Sequence, residues 1–136
     1  MPDGSPTLPA PTLPALTQIE AVVRTYLDGL YEGDGAKIAA AFHPVAHLYN
    51  VVDGAVADLP RGEWLERIAG RAKPSEKGFT REDRILAMDM AGDDAACVKV
   101  NCCIPPRYFT DYLLLLKTAE GWRIVSKSFH TELRTV

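Results

Sequence analysis

From Thr17 onward, apolar side chains recur at Ile19, Val22, Val23, Tyr26, Leu27, Leu30 and Tyr31, the alternating spacing of a helix that buries one face. Thr17-Gln18-Ile19-Glu20 fits a capping box, so the pattern predicts a start at Thr17 and an end at Gly33. Asp34 can cap a second short helix, Ala36 to Phe42, which His43-Pro44 must stop because a residue before proline avoids helical backbone. From Val45 the period changes. Ala46–Val52 and Ala55–Leu59 flank Asp53-Gly54, a two-residue hairpin signal. Pro60 suits the first turn of a third helix, with Trp64, Leu65 and Ile68 as its buried stripe and Gly70 near its end. Residues 71–78, charged and interrupted by Pro74, predict an exposed loop. Four strands follow, Thr80–Met90, Ala95–Ile104, Tyr108–Lys117 and Trp122–Thr131. The order ααββαββββ predicts an α+β fold, in which a curved sheet leaves a hollow between its concave face and the first helix.

Composition narrows the class. The 136 residues are 47% hydrophobic and 24% charged, the profile of one soluble domain, and no apolar run reaches the roughly 20 residues of a membrane-spanning helix. No basic segment followed by an apolar stretch opens the chain, so a cytoplasmic protein without membrane attachment is expected. Fifteen basic against eighteen acidic residues, unclustered, leave a net charge of −3, which argues against nucleic acid as a partner. Half of the ten prolines precede Ala15, so residues 1–16 read as a flexible proline-rich arm, 17–131 as the domain and 132–136 as a tail. Cys97, Cys102 and Cys103 lack a CxxC spacing. On a strand the adjacent pair points to opposite faces, one into the core and one outward.

Several stretches carry a resemblance: Tyr26-Leu27-Asp28-Gly29-Leu30-Tyr31-Glu32-Gly33-Asp34, Phe42-His43-Pro44, Phe109-Thr110-Asp111-Tyr112-Leu113, and the run from Gly121 to His130. With the element order, they resemble the nuclear transport factor 2-like superfamily, the cystatin-like cone shared with SnoaL-like cyclases, ketosteroid isomerase and scytalone dehydratase. Within it they are similar to the subgroup described as "putative lumazine-binding". The resemblance spans about Thr17 to His130. It implies three N-terminal helices packed on a curved, mostly antiparallel sheet, with the third helix as a lid that brings Trp64 to the pocket. Ketosteroid isomerase-like chemistry would draw on Tyr26 or Tyr31 as phenol and Asp111 as carboxyl group. Scytalone dehydratase-like chemistry would draw on His43, His47 or His130 with Tyr26 or Tyr49.

Asp111 interrupts the apolar run Tyr108–Leu114, where an unpartnered charge is costly if buried. A tight final hairpin with Lys117 opposite Trp122 would set Asp111 opposite Ser128 and leave His130 diagonal to it. One extra bulge residue would bring Lys127 to its side instead. Two readings stay open: a carboxylate that orients or activates His130 for proton transfer, or Lys127 that binds an acidic ligand group, against a cross-strand structural ion pair on the outer face or at a dimer seam. Asp111 and His130 are therefore the candidate catalytic residues. Tyr26, Phe42, His47, Tyr49, Trp64, Lys127 and Phe129 are the candidate ligand-binding residues. Pro44 keeps His43 and His47 from aligning on one helix, so no metal site is expected, nor any cofactor. His43 is expected to cap the second helix.

The function expected is binding of a small, partly apolar organic ligand in the cone. The alternative is a cofactor-independent isomerase, dehydratase or cyclase using general acid–base catalysis, and a third reading is a dimerisation module with a filled cone. Leu113 to Leu116 must load both faces of their strand, which predicts a homodimer through the outer sheet face.

Overall fold

The computed structural model describes residues 13–135. Helix α1, Leu13–Glu32, buries Ile19, Val23, Tyr26, Leu27 and Leu30 along one stripe. It starts four residues before the expected cap, because Pro14 fits a first turn, where its missing N–H is not needed. Leu13–Leu16 therefore belong to the helix and not to the arm, whose residues 1–12 lie outside the described residues. Gly33 closes the helix with φ +64, and a side chain there would strike Lys73.

Asp34 caps α2, Gly35–Ala41, by accepting from the backbone N–H groups of Ala36 and Lys37. The far end of α2 corrects the expectation for His43. The carbonyls of Ala39 and Phe42 are taken by Arg61, at 3.1 and 2.9 Å, while His43 Nδ1 accepts from the N–H of Val45 inside strand β1.

Strand β1, Phe42–Val52, pairs with β2, Ala55–Pro60, across Asp53-Gly54, both with positive φ as a primed hairpin turn requires. Helix α3, Arg61–Ala69, turns Trp64 and Ile68 inward. The loop after it is mostly exposed but docks at one point: Pro74 is buried and the N–H of Ser75 bonds Tyr31 O. Strands β3 (Arg84–Ala91), β4 (Ala95–Ile104), β5 (Arg107–Thr118) and β6 (Gly121–Leu133) complete the chain. Glu132 and Leu133 thus extend the last strand into the expected tail, and Thr80–Asp83 fall outside β3.

The six strands form one sheet in the order β2-β1-β6-β5-β4-β3, antiparallel except for β1 beside β6. Three helices cover one face, and the core lies between them and Val98, Val100, Leu113, Leu115 and Ile124. No helix among the described residues is long and apolar enough to cross a membrane.

Candidate functional site

Alternation along β5 directs Phe109, Asp111, Leu113 and Leu115 to the concave face and Thr110, Tyr112, Leu114 and Leu116 outward. Across it, β6 runs in register from Trp122 opposite Lys117 to Ile124 opposite Leu115. The pairing then shifts, with Ser126 opposite Leu114. Val125 is the extra residue. Beyond it Lys127 stands opposite Leu113, and Phe129 opposite Asp111, so both join the Asp111 face. His130 stands opposite Thr110, on the outer face. The bulge thereby overturns the pairing of Asp111 with His130 as neighbours and realises the Lys127 alternative.

Asp111 is fully buried, and three groups converge on its Oδ2. Tyr26 O–H donates at 2.5 Å, Cys102 Sγ donates at 3.5 Å and Lys127 Nζ lies at 3.7 Å. Lys127 Nζ in turn donates to Tyr26 O at 2.9 Å. An unbroken chain of hydrogen bonds therefore runs from ammonium through phenol to carboxylate. Burial, and after it the negative charge of Asp111, push the Tyr26 pKa well above the ordinary phenol value, so the bridging group keeps its proton. The same two causes raise the Cys102 thiol, which makes it a neutral donor here and not a nucleophile.

Lys127 is 4% exposed and sits among four rings, with Nζ 4.8 Å from the centroids of Trp64 and Phe129, 5.2 Å from Tyr26 and 5.9 Å from Phe109. Ring faces compensate part of the ammonium's lost hydration. On its open side lies a cavity of about 530 Å³. Leu30, Leu48, Leu59, Ile104, Phe109 and Phe129 supply apolar wall, Trp64 comes from α3, and Asn50 and Thr131 add neutral polar groups.

The candidate residues separate by position. Trp64, Lys127 and Phe129 line the cavity. Tyr26 lies behind Lys127 and reaches the cavity only through it. Phe42 is fully buried and packs edge-on against Tyr26 and Trp64, with centroids at 5.1 and 4.9 Å, so it supports the wall from behind and is not a ligand contact. His47 and Tyr49 alternate with Leu48 and face away from the cone, the two rings stacked and His47 Nδ1 bonded to Asp58 at 2.5 Å. His130 lines a different hollow with Asn101, Thr110 and Glu132. Among the described residues no group of three or more His, Cys, Asp or Glu is arranged to hold a metal ion.

Sequence reading did not single out Cys102 as an Asp111 partner or Phe109 as a ring beside Lys127. Both follow from register: Cys102 pairs with Phe109, and Val100 with Asp111, across β4 and β5.

The family model described as "Putative lumazine-binding" matches residues 15–130. A nuclear transport factor 2-like protein of unknown function from Shewanella baltica superposes with a TM-score of 0.81, at 26% identity, covering 93% of this chain and 100% of that one. One from Silicibacter pomeroyi gives 0.78 at 21% identity, covering 90% and 100%. Among curated proteins, aldolase FrzH of a Cladobotryum species is 25% identical over 119 residues, 85% of this chain and 92% of that protein.

Proposed function

Since this chain belongs to the family described as "Putative lumazine-binding", with the nuclear transport factor 2-like fold, we propose that its cone binds a compact, partly apolar organic molecule whose oxygen is received by Lys127. One observation carries this reading: Lys127, nearly buried and with one N–H committed to Tyr26, lines a cavity beside aromatic and aliphatic side chains, with five further charged residues elsewhere on its lining. An apolar ligand body would gain by leaving water, and a carbonyl oxygen on Lys127 would fix its orientation. Lumazine and flavin-like heterocycles, small polyketides and keto-steroids all present carbonyl oxygens on a compact ring framework. The test is a thermal-shift panel of those classes against the wild type and Lys127→Met. At least one class should raise the melting temperature of the wild type and lose most of that effect in the variant. No shift with any class would overturn the reading.

The hydrogen-bond chain favours a second reading, cofactor-independent proton transfer on a carbonyl compound, as an isomerase, dehydratase or cyclase requires. The aldolase among the relatives points to the same carbonyl chemistry. Passage of one proton from Lys127 to Tyr26 O, with the phenol proton going to Asp111 Oδ2, would leave an amine, a phenol and a carboxylic acid. Net charge is unchanged, and a neutral base stands at the cavity wall. Solvent-deuterium exchange into the α-positions of a ketone panel, followed by NMR, tests it. Exchange should be faster with the wild type than with Asp111→Asn or Lys127→Met, and equal rates would remove it.

A further inference from the structure

The charged rim of the same cavity shows an asymmetry that the pocket's apolar wall does not explain. Arg67 on α3, Arg71 just beyond it and Arg107 at the start of β5 all line the cavity. Five of the six other arginines are engaged: Arg24, Arg81 and Arg134 pair with carboxylates, and Arg61 and Arg123 donate to backbone carbonyls, while Arg84 on the edge strand has neither an ion pair nor a side-chain hydrogen bond among the described residues. The three rim arginines have neither an ion pair nor a side-chain hydrogen bond among the described residues. Two carboxylates share the rim, Asp58 and Glu63. Asp58 is already bonded to His47, and Glu63 lies beyond ion-pairing distance of any rim arginine. All three are exposed side chains lining the one cavity, and the Arg71 guanidinium is lowered in pKa first by partial burial and then by the charges of Arg107 and Arg67.

Three arginines on one cavity, with Arg71 repelled by the other two, are stabilised by an anion placed among them. Guanidinium favours planar oxyanions that accept two parallel N–H bonds. We propose that Arg67, Arg71 and Arg107 form an anion subsite that receives a carboxylate or phosphate group on a ligand whose apolar body lies against Trp64. This inference rests on the pocket reading above and adds the charge of the ligand to it. The geometry separates two roles for positive charge in one cavity: Lys127, neutralised by Asp111 behind it, faces an uncharged oxygen, and the rim takes the anion.

Isothermal titration with 2-naphthoate and its uncharged counterpart 2-naphthamide separates the two inferences, with inorganic phosphate in thermal shift as a third arm. Naphthoate is expected to bind about tenfold or more tightly than naphthamide, with an affinity that falls as salt rises. Arg71→Gln and Arg67→Gln should each remove most of that preference and leave naphthamide binding unchanged. Arg71→Lys should retain part of it, and circular dichroism checks that each variant folds. Equal binding of both probes to the wild type would overturn the anion subsite and leave the pocket reading standing. A preference that survives the arginine substitutions would overturn it as well. No naphthoate binding together with no stabilisation by millimolar phosphate would overturn the subsite outright. Phosphate stabilisation without binding of either naphthalene would support the subsite and count against the apolar pocket.

Discussion

The phenol of Tyr26 on the first helix donates a 2.5 Å hydrogen bond to Asp111 on the fifth strand, 85 residues further along the chain. This bond joins the helical layer to the concave face of the sheet at the point where Lys127 arrives from the neighbouring strand. A charge pair is thereby set at the cavity wall, Lys127 on its lining and Asp111 behind, with a neutral bridge between them.

Removal of one member should expose the other. Asp111→Ala leaves Lys127, 4% exposed, without its counter-charge, and is expected to destabilise the fold by about 3–5 kcal/mol. Replacing both, as in Asp111→Leu with Lys127→Met, should recover much of that loss, because the uncompensated charge goes with it. Urea denaturation at neutral pH measures both. A single variant that loses less than about 1 kcal/mol would contradict the buried pair.

Tyr26 links stability to alkaline pH. Its folded pKa is raised, first by burial and then by Asp111, whereas an unfolded tyrosine ionises near its ordinary value of about 10. Below that value the contribution is complete. As pH climbs above it, the unfolded chain releases a proton that the folded chain keeps, so stability falls toward the folded pKa. Tyr26→Phe should flatten this slope. In spectrophotometric titration of the native protein, the ionisation that Tyr26→Phe removes should lie above the ordinary phenol range.

Close approach of the first two helices depends on Gly29. A methyl group there would meet Ile38 Cγ1 at 2.8 Å and the Asp34 carbonyl at 3.1 Å. An alanine inside a helix ordinarily gains about 0.5–1 kcal/mol over glycine. Here overpacking should reverse the sign, and Gly29→Ala is expected to cost about 1–3 kcal/mol, read from the denaturation midpoint.

Outward-facing side chains on β5 leave Tyr112, Leu114 and Leu116 about half exposed in a row. For this face we propose a second copy of the chain as cover. Size-exclusion chromatography with light scattering should give a dimer at micromolar concentration and a monomer for Leu114→Lys with Leu116→Lys. A monomeric wild type would remove the proposal.

Local pattern made much of the fold legible. The stripe on α1, the Asp53-Gly54 turn and the strand periods of β4 and β5 each depend on neighbours within a few residues, so α1 and the strands stand close to where periodicity predicts them. Cys102 and Cys103 divide between core and outer side for the same reason. Ends were harder to read. Thr17 offers a cap that the chain does not use because Pro14 already suits a first turn. His43 leaves the α2 carbonyls to Arg61, which becomes a neighbour only when α3 folds back.

Residue types and their alternation determined that Asp111 interrupts an apolar strand and would need a partner if it pointed inward. Which partner it has was decided by tertiary structure. Val125 inserts one residue into a period of two, and every side chain after it changes face, so Lys127 comes in and His130 goes out. Nothing in the immediate sequence compels that bulge. Strand β6 is paired on both sides, antiparallel to β5 and parallel to β1, and its register must satisfy both ladders while meeting Tyr26 on α1. The constraints from β1 and Tyr26 lie about 80 to 100 positions away, so the candidate site exists only once α1, the strands and α3 are packed together.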